Sequence, residues 1–261
     1  MRVFSQPILS GRTALITGVS RRRGIGLAIA RRLTELGTDL FIHSWSPHDR
    51  EQPWGSDADP DDIAHELRSG GRRIEHLALD FADPSSPARL MTAATSAFGH
   101  VDVLILNHAR SSSESVDELT ADELDLSFQV NCRATLLLIK EWAAQHNGSE
   151  GGRVIILIAG QHLGPMSSEI PHALSKGALH QITQTLASHL APLGITVNSV
   201  NPGPTDTGWA DKRRHSAVLE RMPFGRWGQP EDAARLIGWL ATDEAQWVTG
   251  QVINSEGGFD R

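Results

Sequence analysis

Two titratable side chains that stand four positions apart, His172 and Lys176, are the first residues of this sequence that could do chemistry. They open a long amphipathic pattern whose apolar stripe ends at Leu190, as is typical of a helix. The nearby Lys176 ammonium is expected to lower the pKa of the His172 imidazole, because it disfavours a second positive charge. A neutral imidazole still donates through one ring N–H, and as a base it suits proton transfer near pH 7.

Further polar side chains follow the predicted strands. Arg110 comes shortly after the apolar run Val101–Leu106, where its bulk could crowd a bound ring. Its charge could instead anchor a substrate carboxylate or stabilise an oxyanion. His108 and His162 could line one pocket together with His172, although wall or surface positions are an equal alternative for the first two. No metal site is expected, because no glutamate or cysteine stands at ligand-like spacing nearby.

Apolar runs that alternate with helical patterns must position these residues. The predicted strands are Thr13–Thr17, Asp39–Ser44, Arg73–Leu79, Val101–Leu106, Gly152–Ile158, Thr196–Val200 and Gln251–Asn254. The predicted helices are Leu27–Leu36, Ile63–Ser69, Ala88–Phe98, Ala121–His146, His172–Ala191 and Pro230–Leu240, and Ser46–Asp62 is predicted to be a surface loop. Nearly continuous apolar strands with helical crossovers predict an α/β fold, a single domain over 1–261. Its doubly wound parallel sheet of Rossmann type should have about seven strands with helices on both faces, and ligands should bind at the carboxyl ends of the strands.

The composition excludes several classes of function. The chain has 261 residues, 39% of them hydrophobic, which is enough for one large core. A net charge of −7 argues against binding to nucleic acid or to a membrane surface. No apolar run approaches the roughly 20 residues that span a bilayer. The single cysteine, Cys132, excludes an internal disulfide, and Met1–Gly11 lacks the apolar core of a signal peptide, so a cytoplasmic protein is expected.

A glycine-containing turn after the first predicted strand is a candidate phosphate-binding loop. Gly18 and the run Gly24-Ile25-Gly26 permit a tight turn and let a pyrophosphate approach the N-terminus of the next helix. An acidic residue at the end of the second strand would repel a 2′-phosphate, but the first acid there is Asp49. Arg21–Arg23 could pair with such a phosphate, which favours NADP(H) over NAD(H), unless these arginines are solvated surface charge.

Taken together, these segments resemble the short-chain dehydrogenase/reductase family, in its 3-oxoacyl-acyl-carrier-protein-reductase-like subgroup, over residues 10–258. In that family a serine follows the fifth strand, a tyrosine comes thirteen residues later and a lysine four residues after that. Here the spacing is kept, but Ala159 stands at the serine position and His172 at the tyrosine position. Only Lys176 keeps its family identity, and the chain contains no tyrosine.

The resemblance also implies roles for individual residues. Asn131 corresponds to the asparagine that holds a water in the family's proton relay, and Lys176 to the lysine that binds the nicotinamide ribose. With His172 and Arg110 they make up the expected catalytic set. The implied cofactor-binding residues are Gly18, Ser20, Arg21, Gly24, Ile25, Gly26, Ser44, Trp45, Asp80, Phe81, Asn107, Ala109, Lys176, Pro202, Gly203, Thr205 and Thr207.

The resemblance further implies a substrate lid and an assembly. The lid should span about 204–227, and four of its side chains could form an apolar surface for a bulky ligand or serve in packing: Trp209, Met222, Phe224 and Trp227. The basic run Lys212–Arg214 could meet an anionic substrate or a carrier protein. Family members associate through the helix that carries Asn131 and the helix that follows Lys176, so a homotetramer or dimer is expected.

Three functions are compatible with these residues. The first is an NADP(H)-dependent oxidoreductase in which His172 replaces the tyrosine and which reduces an iminium, an enone or a specialised-metabolite ketone. The second is a non-redox dehydratase, cyclase or isomerase that uses His172 as acid or base. The third is a catalytically silent binding subunit. In the first two cases the expected partner is a small-molecule substrate, which could be bulky or bound to a carrier. Neither nucleic acid nor a membrane is expected as a partner.

Overall fold

Seven parallel strands form one sheet in the computed structural model, which describes residues 8–146 and 151–261. The strands are β1 (Thr13–Ile16), β2 (Asp39–Ser44), β3 (Ile74–Ala78), β4 (Val103–Leu106), β5 (Gly152–Leu157), β6 (Ile195–Asn201) and β7 (Val252–Asn254). Their order across the sheet is β3-β2-β1-β4-β5-β6-β7. The prediction of a doubly wound parallel sheet is therefore confirmed.

Helices cover both faces of this sheet. They are α1 (Ile25–Glu35), α2 (Ser46–Glu51), α3 (Pro60–Arg68), α4 (Ser86–Phe98), α5 (Ala121–Phe128), α6 (Ala134–Gln145), α7 (Ile170–Leu190), α8 (Lys212–Leu219) and α9 (Pro230–Leu240). One apolar core lies under α1, α3 and α9, and a second lies under α4, α6 and α7. Strands β1, β4, β5 and β6 are buried along their full length, which explains why β4 is a continuous apolar run.

The direction of winding reverses between β1 and β4, and this reversal opens a crevice at the carboxyl ends of these two strands. Asn107, directly after β4, bridges the two loops. Its side-chain amide donates to the carbonyl oxygen of Thr17 at 3.1 Å and to that of Gly18 at 2.9 Å. The loop after β1 is thus fixed against the loop after β4, where the candidate site begins.

The segment Ser46–Asp62 contains helical structure, so its prediction as a surface loop is wrong in part. Helix α2 starts at Ser46 with a proline in its first turn. Helix α3 starts at Pro60, and the Asp59 side chain caps it by accepting from the backbone N–H of Asp61 at 2.9 Å. Because α2 buries no residue completely, it leaves no apolar periodicity in the sequence that could reveal it.

The helix predicted from Ala121 to His146 is also interrupted. A π-helical turn, Gln129–Arg133, separates α5 from α6 and carries the wholly buried Asn131. Such turns are frequent at functional sites.

Residues 1–7 and 147–150 lie outside the described residues. The first range includes most of Met1–Gly11, the segment whose lack of an apolar core contributed to the expectation of a cytoplasmic protein. Over the described part of the chain, none of the helices combines the length with the apolar character that crossing a membrane requires.

Candidate active site

A cleft of about 1200 Å³ runs along the carboxyl ends of the strands. Loops after β1, β2, β4, β5 and β6 contribute to its wall, together with α2 and the segment around α8. Most of the predicted cofactor-binding residues line it: Gly18, Ser20, Arg21, Gly24, Ile25, Gly26, Trp45, Asp80, Phe81, Asn107, Ala109, Pro202, Gly203, Thr205 and Thr207. His172 and Arg110 line the same cleft, so the fold joins the two predicted halves of the site.

Two predicted cofactor residues lie behind the wall of the cleft. Ser44 is wholly buried, and its hydroxyl is 2.8 Å from Nε2 of His76. Lys176 is 4% exposed, and its ammonium donates to the carbonyl oxygens of Leu157 at 2.9 Å and His108 at 3.2 Å. Burial of this ammonium lowers the pKa of Lys176 to about 8. In this structure the lysine therefore ties the loops after β4 and β5 together beneath the cleft.

The glycine loop has the shape that a pyrophosphate requires. Gly18 has φ of +74°, and a Cβ there would lie 2.8 Å from the Cα of His108. A Cβ on Gly26 would lie 2.8 Å from the side-chain nitrogen of Asn107. Helix α1 begins after Gly24 without a capping side chain, so its first backbone N–H groups are available to an anion. These residues fit a dinucleotide cofactor.

The three arginines of this loop have different surroundings. Arg21 lines the cleft and donates to the carbonyl oxygen of Thr207 at 2.7 Å. Arg22 pairs with Glu66 at 2.6 Å and Arg23 pairs with Asp206 at 2.9 Å, both on the surface. Of the three, Arg21 is therefore the one placed to meet a cofactor phosphate.

An acidic side chain from α2 also reaches the adenosine end of the cleft. The carboxylate of Asp49 accepts from the hydroxyl of Ser20 at 2.5 Å, and both residues line the cleft. In the sequence, Asp49 stands out only as an acid too distant from the end of β2, because it follows that strand by five positions and approaches through the fold of α2.

The imidazole of His172 faces the cleft from the first turn of α7. Its Nδ1 lies 3.3 Å from the carbonyl oxygen of Arg110. Burial, and secondarily the charge of Lys176, lower the pKa of His172 to about 4. The ring is therefore neutral at pH 7, which agrees with the direction expected from the sequence. A neutral ring that donates from Nδ1 to a carbonyl carries its lone pair on Nε2.

Asn131 acts on His172 through the backbone of Arg110. Its side-chain oxygen accepts from the Arg110 N–H at 2.7 Å, and its nitrogen donates to the Arg110 carbonyl at 3.1 Å and to the Ser175 hydroxyl at 2.8 Å. The side chain is thus fully engaged in holding the loop after β4. We classify Asn131 as a positioning residue in this structure, while a water relay at this place remains a prediction.

The charge of Arg110 is already paired, which corrects the expectation that it is available to a substrate. Its guanidinium donates to Glu123 from Nε at 2.8 Å and from Nη2 at 2.6 Å. These hydrogen bonds raise the pKa of Arg110. The remaining Nη1 is 3.4 Å from Nδ1 of His48, a further cleft residue from α2. Arg110 and Glu123 therefore form a neutral, partly buried wall beside His172.

Of the three histidines that could line one pocket, His108 and His172 line the cleft and His162 does not. His108 is 6% exposed, and its Nδ1 lies 2.7 Å from the Thr17 hydroxyl, so it mainly braces the loop after β1. His162 is exposed, outside the cleft, and its ring packs against His180. Among residues 8–146 and 151–261, no three His, Cys, Asp or Glu side chains come together as metal ligands.

The predicted lid contains helix α8 and contributes few of its aromatic residues to the cleft. Trp209 lines the cleft, whereas Met222 and Trp227 are buried in packing and Phe224 is 78% exposed. The ring of Trp227 stacks on His215, with 4.8 Å between centroids. The lid is thus held by its own aromatic packing.

Several cleft residues could not be recognised in the sequence. They are His48, Ser112, Arg221, Phe259 and Arg261. Ser112 follows the strand-four segment, which is a weak positional signal. Its hydroxyl is buried and has no hydrogen-bond partner within the described residues. The others reach the cleft only through long-range packing.

Comparisons with known proteins agree with this geometry. A family model described as enoyl-(acyl carrier protein) reductase matches residues 18–260. The uncharacterized oxidoreductase YjdA of Bacillus subtilis strain 168 is 40% identical over 250 residues, covering 95% of this chain and 96% of that protein. The chloroplastic NADPH-dependent aldehyde reductase-like protein of Arabidopsis thaliana is 32% identical, covering 98% and 97% respectively.

A solved structure extends the likeness to three dimensions. The short-chain dehydrogenase from Burkholderia cenocepacia J2315, in complex with NADP, superposes with a TM-score of 0.86 at 33% identity. The match covers 96% of this chain and 98% of that chain. Because the family model and these relatives match nearly the whole chain, it belongs to the short-chain dehydrogenase/reductase family of oxidoreductases.

Proposed function

We propose that this chain is an NADP(H)-dependent oxidoreductase in which the His172 imidazole replaces the family tyrosine as the proton-transfer group. The observation that carries the proposal is the contact between Nδ1 of His172 and the carbonyl of Arg110. This contact leaves Nε2 as the ring atom able to exchange a proton with a substrate in the cleft.

Several observations support a nicotinamide dinucleotide. The glycine loop and the uncapped start of α1 would hold the pyrophosphate, and Thr205 and Thr207 border the expected nicotinamide end. The Arabidopsis relative is named for NADPH, and the Burkholderia structure contains NADP. Arg21 offers a cation in the cleft that can pair with a cofactor phosphate, which favours NADP(H). The hydrogen bond from the Ser20 hydroxyl to Asp49 must break if a 2′-phosphate is to bind at that point.

The low pKa of His172 selects the reactions that suit this site. When bound, the nicotinamide exchanges a hydride with the substrate carbon. In alcohol oxidation, Nε2 of His172 accepts the hydroxyl proton, and a neutral imidazole is ready for this. Hydride addition to an iminium needs no proton, because it cancels the positive charge. Reduction of a neutral ketone would need imidazolium, which is scarce at pH 7 when the pKa is about 4.

The missing serine can be compensated from elsewhere in the cleft. Ala159 lines the cleft but offers no side-chain donor. Ser112 borders the same cleft, and its buried hydroxyl has no described partner, so a rotation about χ1 would turn it towards a substrate oxygen. We include Ser112 in the proposal as the residue that stabilises this oxygen.

A non-redox reaction is the second candidate, because a neutral imidazole beside a closed Arg110–Glu123 pair is also a competent general base. A dehydration or isomerisation would then proceed without hydride transfer. A silent binding subunit is the third candidate, in keeping with the lost serine and tyrosine. A cytosolic homo-oligomer formed through α5–α6 and α7 remains an expectation under all three.

Binding and turnover separate these candidates. Calorimetric titration with NADPH and NADH should show tighter binding of NADPH, and Arg21→Ala should remove most of that preference. Arg22→Ala is the matched control, because Arg22 pairs with Glu66 outside the cleft. Absence of NADPH binding would exclude the proposal. Turnover of a cleft ligand without nicotinamide, lost in His172→Ala, would favour the non-redox candidate.

A further inference from the structure

Two guanidinium groups flank one aromatic ring at the substrate end of the cleft. The Cζ atoms of Arg221 and Arg261 each lie 5.2 Å from the ring centroid of Phe259. All three residues line the cleft, and we call them the Arg221–Phe259–Arg261 cluster. Two like charges held against one ring are stabilised when an anion lies between or beside them.

Arg261 reaches the loop that carries Ala159. The loop glycines Gly160 and Gly164 leave room for it, since a Cβ on Gly160 would clash with the Arg261 guanidinium. A Cβ on Gly164 would lie 3.0 Å from the Arg261 Cδ. The guanidinium is therefore next to the position where the family serine would contact a reacting oxygen.

One carboxylate fixes the direction of Arg261. Glu256 accepts from Nη2 of Arg261 at 2.7 Å and from the side-chain amide of Asn201 at 2.9 Å. The Arg261 side chain is 19% exposed, and its buried Nε has no partner within the described residues. Glu256 thus orients the guanidinium and leaves part of its donor capacity unused.

The two guanidinium groups of the cluster differ in their charged partners. Arg221 has no carboxylate within ion-pair distance in the described chain, whereas Arg261 has Glu256. The neighbouring Arg214 also lines the cleft, but it faces Glu169 at 3.5 Å, and Asp211 lies at the start of the same helix. The Arg221 guanidinium is therefore the one in the cluster that can take an anionic ligand as its charged partner.

We propose that the substrate carries a carboxylate, which binds to Arg261 and Arg221 while the reacting carbon faces His172. A planar carboxylate suits the planar donor array of guanidinium better than a bulkier dianion does. The substrate class is then a hydroxy acid and its oxo acid. In the oxidation, the hydroxyl proton goes to Nε2 of His172 and the hydride from carbon goes to NADP⁺, which leaves a C=O bond. This inference rests on the proposed function for its chemistry, but its binding site does not.

Binding of matched ligands to the full chain tests the inference without turnover. The probes are 2-oxopentanoate, 4-oxopentanoate and 5-oxohexanoate, each compared with its neutral amide by calorimetry. We expect at least one acid to bind about tenfold or more tightly than its amide. In Arg261→Gln this preference should fall to about one, and Arg261→Lys should give an intermediate value, because lysine keeps the charge without the fork.

The control variant is Arg213→Gln, an exposed position on α8 outside the cleft, which should keep the full preference. If Arg261→Gln lowers the thermal unfolding midpoint too far for titration, the Arg261→Lys and Arg221→Gln variants decide the question. Equal binding of every acid and amide, or a preference that survives loss of Arg261, would overturn the inference. Either result leaves NADPH binding intact, so it is distinguishable from failure of the proposed function.

Discussion

The Nδ1 atom of His172 lies 3.3 Å from the backbone carbonyl oxygen of Arg110. Asn131 donates to the same oxygen at 3.1 Å, so the acceptor is held in place. A carbonyl accepts and cannot donate, which requires the proton of a neutral ring to be on Nδ1. The proton-transfer role of His172 therefore depends on Nε2, and on a loop whose position is set by a buried asparagine.

Removing the imidazole should remove the proton acceptor. We expect His172→Ala to lower kcat for oxidation of a hydroxy substrate by about 10²–10⁴-fold, which is the usual contribution of general base catalysis. Cofactor consumption followed by nicotinamide absorbance measures this. His162→Ala is the control and should leave kcat unchanged, because His162 is exposed outside the cleft. Equal rates in both variants would rule out His172 as the base.

Buried neutral histidines should make the fold sensitive to acid. The pKa values of His43 and His172 are lowered to about 4, mainly by burial, and burial also lowers that of His108. The unfolded chain, with ordinary imidazoles near 6.5, then binds more protons than the folded chain between about pH 4 and 6.5. Stability should be complete above about pH 6.5 and decrease as the pH falls towards 4, by on the order of 3 kcal/mol for each of His43 and His172.

Urea unfolding at a series of pH values measures that loss. His172→Gln should show a shallower decrease than the parent chain, by about one proton per molecule. An exposed-site substitution, His162→Gln, should follow the parent curve. A His172→Gln curve that runs parallel to the parent would show that His172 has an ordinary pKa.

The Arg110–Glu123 pair should be coupled more strongly than a surface pair. Its side chains are 22% and 12% exposed, and the carboxylate receives two guanidinium N–H groups. In a double-mutant cycle with Arg110→Met and Glu123→Gln we expect a coupling energy of about 1–3 kcal/mol in unfolding experiments. The exposed pair Arg226–Asp232 provides the comparison and should couple much less. Similar values for the two pairs would mean that Arg110 is free to bind a substrate.

Asp49 should weaken NADPH binding selectively. Its carboxylate accepts a hydrogen bond from the Ser20 hydroxyl, and at that position it would repel a 2′-phosphate. We expect Asp49→Asn to tighten NADPH binding by about three- to tenfold while NADH binding stays the same. Asp57→Asn is the control, since Asp57 accepts from the backbone N–H of Arg22 at 2.7 Å outside the cleft. An equal change in the binding affinity for both nucleotides would show that Asp49 does not act on the 2′-phosphate.

The sequence was sufficient for the fold and for the backbone-driven part of the site. Apolar runs such as Val103–Leu106 become buried central strands, because a sheet covered by helices on both faces buries the side chains on both sides of each strand. The glycine loop and His172 reach one cleft because both follow strand ends in a fixed topology. Spacing along the chain determines these placements directly.

Side-chain partners were not predictable in the same way. Arg110 looked available to a ligand because its partner, Glu123, comes from a different helix. Asp49 reaches Ser20 only through α2, which has no buried residue and therefore no periodic signal. Arg261 meets the Gly160 loop across about 100 positions of chain, a contact that local patterns do not encode.

The protonation state of His172 tests the central claim most directly. Long-range ¹H–¹⁵N NMR spectra of the labelled chain, assigned with His172→Gln, report which ring nitrogen carries the proton at pH 7. A neutral ring protonated at Nδ1, which stays neutral down to about pH 5, is the result predicted by the contact with Arg110. A ring protonated at Nε2, or charged at neutral pH, would contradict the proposal that this imidazole accepts the substrate proton.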